Sequence, residues 1–86
     1  MRYILSTHAR ARLLEREISE EIVRRVLQNP TEISYDNKGR LLIKGLYQGE
    51  NKPRLLLLAA ELKEDHLKII TIIDTSKIKK YLGQRK

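Results

Sequence analysis

The 86-residue chain reads as a single α+β domain. Apolar residues recur at helical spacing as far as Pro30, and from Glu32 onward short apolar runs alternate with turn residues, the pattern of a strand meander. The expected architecture has two N-terminal helices packed on one face of a four-stranded antiparallel sheet, five-stranded if residues 2–5 join it, and a short C-terminal helix. One domain spans residues 1–86, with a basic tail at 75–86.

Each element has a local reason. Residues 2–5 can extend as a short strand, after which a hydroxyl from Ser6 or Thr7 caps a first helix running to about Glu17. Ser19 caps a second, with Glu20 and Glu21 in its first turn, where the helix dipole favours acids. Its apolar stripe is Ile22, Val23, Val26 and Leu27, leaving Arg24 and Arg25 outward. Asn29-Pro30 ends it, because a residue before proline is driven out of helical geometry. Asp36-Asn37-Lys38-Gly39 is the clearest turn, and strands are expected at 32–35, 40–48, 54–62 and 67–74. Connections this short make the strands antiparallel neighbours. Leu55 to Ala60 is apolar on both faces and so reads as a central strand, whereas Arg40 and Lys44 make 40–48 partly polar. Thr75 or Ser76 is placed to cap a last helix through Leu82, stopped by Gly83.

A chain this short buries a small core, so a partner would add stability. It has no cysteine, which excludes disulfides, thiolate metal sites and a cysteine nucleophile, and favours the cytoplasm. The apolar stretch Tyr3 to Leu5 is too short for a signal-peptide core or a membrane span, so neither export nor membrane association is expected. No cofactor and no metal site is expected, since neither a phosphate loop nor a ligand cluster is present. The formal charge is +7, and residues 75–86 alone carry Lys77, Lys79, Lys80, Arg85 and Lys86 with no acid. This points to an anionic partner.

The most specific pattern is His8, Arg12 and Arg16, spaced by four. Each step drifts only about 40° around a helix axis, so the three lie along one side. Glu15 is near enough to pair with a neighbouring cation, and a plain solvated helix face is the competing explanation. Two guanidiniums beside an imidazole nevertheless suit a phosphate, Arg12 and Arg16 binding it and His8 acting as base or acid if RNA is cleaved. Lys79, Lys80 and Arg85 extend the candidate phosphate-binding set, and Tyr81 among them is a weaker catalytic candidate or an apolar anchor. His66 reads as a turn residue beside Asp65, Asp74 as a turn or helix cap, and Thr71 as a structural threonine in an otherwise apolar strand. With no Phe or Trp, a base-stacking aromatic platform is not expected.

The run THARARLLEREISEEIVRRVLQNP, a glycine-containing hairpin and KIITIID together resemble a domain-of-unknown-function family grouped with the RelE/ParE-like toxin superfamily. His8, Arg12 and Arg16 match its His-x3-Arg-x3-Arg stretch, Ile18 to Glu21 its Ile-Ser-Glu-Glu turn, and Thr71 its strand threonine. The likeness covers residues 6–74 and implies a RelE-like fold. It also implies kinship with toxins of type II toxin–antitoxin pairs, some of which cleave messenger RNA on the ribosome while others inhibit gyrase. RelE-type nucleases use basic residues and a C-terminal tyrosine, for which Tyr81 and Arg85 qualify by position alone. The leading expectation is a toxin or toxin-derived RNA-acting protein, in the extreme a metal-independent mRNA endoribonuclease. The alternatives are a non-catalytic RNA-binding or ribosome-associated module, and an interaction domain for a small acidic antitoxin-like segment. Oligomeric state is not legible in the sequence.

Overall fold

The computed structural model describes residues 2–82. In chain order the elements are β1 (Arg2–Leu5), α1 (Thr7–Arg16), α2 (Glu20–Gln28), β2 (Glu32–Tyr35), β3 (Leu41–Gln48), β4 (Pro53–Leu62), β5 (His66–Thr75) and α3 (Ile78–Tyr81). The strands form one sheet in the order β1-β5-β4-β3-β2. β2 to β5 pair antiparallel through short connections, but β1 runs parallel to β5, with Leu5 opposite Ile69, so the sheet is mixed rather than antiparallel. A hairpin forces reversal; β1 has none, because the chain between it and the next strand passes through both helices and can deliver either direction.

β4 is the middle strand, and Leu55 to Ala60 are all buried. Its alternate residues Leu56, Leu58 and Ala60 join Ala9 and Leu13 of α1, Val23 and Val26 of α2, and Ile43, Leu67, Ile69 and Ile72 in one buried cluster. Gly45 of β3 shows how closely α2 approaches: a Cβ there would lie 2.7 Å from the Val26 side chain. The turn before β3 is built by Asp36, whose Oδ1 accepts the amides of Lys38 and Arg40, while Gly39 takes φ 81°.

β5 carries a bulge. Ala60 pairs with Ile69 but Ala59 with Thr71, leaving Ile70 as the extra residue. Ser6, the cap of α1, resolves the unpaired carbonyl this creates: its hydroxyl donates to Ile70 O at 2.8 Å and accepts from Ala9 N at 3.0 Å. The bulge also puts Thr71 opposite Ala59, on the face away from the Leu56/Leu58 cluster, so its hydroxyl does not enter that core.

α3 is a single turn, shorter than the sequence suggests, and neither Thr75 nor Ser76 is its cap residue. Thr75 belongs to β5, its hydroxyl accepting the Lys77 amide at 3.0 Å. The expected stop, Gly83, lies outside the described residues. Lys44, expected on a polar face, is buried instead; its ammonium donates to the Tyr81 carbonyl at 2.8 Å and sits 3.5 Å from Glu32. Since Lys44 points opposite to Gly45, α3 lies over the sheet face that α2 leaves uncovered.

Candidate functional site

Three strands meet at one end of the sheet with a polar cluster on the face that carries Leu56 and Leu58. Tyr47 of β3 is opposite Arg54 of β4, and Asp74 of β5 is a diagonal neighbour of Arg54. The guanidinium grips the carboxylate in a fork, Nε to Oδ1 at 2.9 Å and Nη2 to Oδ2 at 3.1 Å, and the Tyr47 hydroxyl donates to Oδ1 at 2.5 Å. The Asp74 side chain is only 9% exposed. Burial pushes its carboxyl up, but the Arg54 and Tyr47 hydrogen bonds and the charges of Arg54 and Arg16 outweigh that and hold it below the ordinary value. Burial first, then the hydrogen bond to Asp74, pushes the Tyr47 phenol up to about 12. The same carboxylate raises Arg54 further above an already high value.

This cluster forms one wall of a cleft of about 650 Å³, completed by the end of α1 (Arg16, Glu17), by Ile18 and Ile22, and by the β3–β4 hairpin, residues 48–52. Arg16, Lys52 and Arg54 face Glu17, Glu50 and Asp74 there, so the charges balance. Arg54 and Asp74 are committed to each other, which leaves Arg16 and Lys52 as the cations available to a ligand.

The candidate residues from the sequence divide. Arg16 reaches the cleft, because the stripe winds about 80° around α1 between His8 and Arg16 and so turns toward the sheet. Arg12 stays on the helix, 3.6 Å from Glu15. His8 is exposed, two turns or about 12 Å up the axis from Arg16, and does not line the cleft. Lys79, Lys80 and Tyr81 are in α3 on the other sheet face, where Lys80 sits over the Tyr81 ring at 5.5 Å. Arg85 lies outside the described residues. His66 begins β5 rather than forming part of the turn, and its Nδ1 is 2.9 Å from Asp65.

Sequence reasoning missed Tyr47, Arg54 and Lys52, and it read Asp74 as a turn or helix cap. Their separations follow no helical or hairpin spacing that joins all four. The one local signal is a lone acid closing the apolar run of β5. Among the described residues no group of three metal-ligating side chains gathers, and no helix is long and apolar enough to cross a membrane.

Comparison with curated proteins and with solved structures gives no match. A family model does match, over residues 5–74, from the last residue of β1 to the Asp74 that anchors the cleft. The chain belongs to the domain-of-unknown-function family DUF4258.

Proposed function

We propose that the domain binds single-stranded RNA through this cleft without cleaving it, on a RelE-like scaffold whose two N-terminal helices cover one sheet face. The observation that carries the reading is the separation of charge from the candidate base: Arg16 and Lys52 share the cleft with Arg54, while His8 stands apart on α1. Phosphate contacts of this kind position a backbone, and the formal charge of +7 draws a polyanion toward the domain. A cysteine-free chain also suits the cytoplasm, where messenger RNA and ribosomes are found. Of the two groups the sequence offers for a RelE-type cleavage, neither His8 nor Tyr81 lines this cleft.

The test is binding of short RNA followed by fluorescence anisotropy across a salt series. Arg16→Ala should weaken binding and reduce the salt slope by about 0.7, the release expected for one phosphate contact on a single strand. His8→Ala should leave both unchanged, and incubated messenger RNA should stay intact. Cleavage that disappears in His8→Ala or Tyr81→Phe would instead restore the toxin reading.

The edge of the sheet favours a second role, as the receptor for an acidic antitoxin-like strand. Asp36 N donates to Arg40 O, so by alternation the N–H and C=O groups of Ile33 and Tyr35 point to the free side of β2. Both side chains are exposed. Co-purification with a small acidic protein, abolished by Ile33→Pro, would support it.

A further inference from the structure

A phosphodiester alone does not explain the cleft. Two of its carboxylates, Glu17 and Glu50, have no ion-pair or hydrogen-bond partner among the described residues, and both would repel a phosphate. Its size falls in the range of small-ligand sites, and Ile18, Ile22 and the Tyr47 ring give it apolar surface. Glu17 is also expensive where it stands. It closes α1 at φ 55°, ψ 45°, the left-handed cap conformation that glycine adopts at least cost, and it is the only non-glycine residue with positive φ among those described.

We propose that the cleft receives one unstacked guanine of a single-stranded RNA, with Glu17 accepting from the base edge and Arg16 and Lys52 holding the adjoining phosphate. The inference rests on the RNA-binding reading and names its base. Guanine is the one standard base whose Watson–Crick edge offers two adjacent donors, N1–H and the N2 amino group, and a carboxylate accepts both with its two oxygens. Adenine and cytosine place an acceptor beside their single amino donor, and uracil flanks its N3–H with two carbonyls that repel a carboxylate. The mixed charge of the cleft then has a use: cations for the backbone, an anion for the base, and apolar surface for the ring.

The experiment compares short uridine-flanked RNAs carrying guanosine, inosine or an abasic residue at the centre. Inosine lacks only the N2 amino group. Wild-type protein should bind the guanosine RNA about tenfold tighter than the inosine RNA, and the abasic RNA more weakly still. Glu17→Gly should raise Tm by roughly 3 °C through relief of the left-handed cap while erasing the guanosine preference. Glu17→Gln keeps the cap and the side-chain volume and should erase the preference without that rise in Tm. Equal binding of all three RNAs by wild-type protein overturns the guanine assignment and leaves RNA binding standing. A preference that survives both variants overturns Glu17 as its reader. If no RNA binds, or if an arginine-bearing peptide occupies the cleft instead, the RNA reading and this inference fall together.

Discussion

Asp74 is an aspartate whose carboxyl burial pushes up and whose neighbours hold below its ordinary value. Its folded-state value is depressed, so the ionised form favours the native state. That contribution is complete above the ordinary value of 3.8 and is lost as pH falls through the lower folded value. Asp74→Asn should therefore flatten the acid limb of a stability profile measured by urea midpoint. Tyr47 has the opposite sign. Its raised value makes the neutral phenol the stabilising form, a contribution present below pH 10 and lost as pH rises through about 12. Phenolate absorbance for Tyr47, isolated by difference from Tyr47→Phe, should appear near pH 12 in wild type. In Asp74→Asn it should appear earlier but still above 10, because burial is the larger cause. Truncating Arg54 should be costlier than either change. Arg54→Ala strands a carboxylate that is 9% exposed, and chemical denaturation should show a loss of about 2 to 3 kcal/mol.

At the scale of elements, Ser6 joins α1 to the bulge in β5 with one hydroxyl. A hydroxyl cap was legible as Ser6 or Thr7, and the structure assigns it to Ser6; its second bond was not legible, because a bulge leaves no mark beyond an interrupted alternation in KIITIID. Ser6→Ala removes a helix cap and the partner of the Ile70 carbonyl together, so the expected loss is about 2 kcal/mol rather than the about 1 of an ordinary cap. The α2–β3 contact makes a complementary prediction. Gly45→Ala places a methyl 2.7 Å from Val26, and the helix must shift or Val26 must leave its rotamer; denaturation should register about 1 to 3 kcal/mol. Gly45→Ala with Val26→Ala should cost less than the sum of the two single changes, because removing the Val26 methyls relieves the closest contacts while its Cβ stays 3.1 Å away.

Across the described residues, the basic side chains do not gather on one surface. α1 brings Arg16 to the cleft, whereas α3 carries Lys79 and Lys80 over the opposite face. The shortest dimension of the protein is 20 Å, well beyond the screening length of about 8 Å at physiological salt. Charges on the two faces are thus largely hidden from each other. Lys80→Glu should change RNA affinity at physiological salt far less than Arg16→Glu, with the difference shrinking only at low ionic strength. Equal effects of the two reversals would place the RNA across both faces and remove the cleft from the centre of the interaction.

Local chemistry settled the bounds of α2 and the turn before β3 from the sequence alone. Ser19 with Glu20 and Glu21 marks where α2 begins, Asn29-Pro30 where it ends, and Asp36 to Gly39 where the chain turns. The unbroken apolar run at 55–60 identified β4 as the strand covered on both sides. Each of these depends on residues a few positions apart, which is the range over which caps, turns and periodicity act. Tertiary structure alone decided the parallel pairing of β1, the burial of Lys44 and the meeting of Arg16, Tyr47, Arg54 and Asp74. Those depend on strand order and register, which bring distant positions together and leave His8, the most conspicuous residue of the helical stripe, outside the cleft.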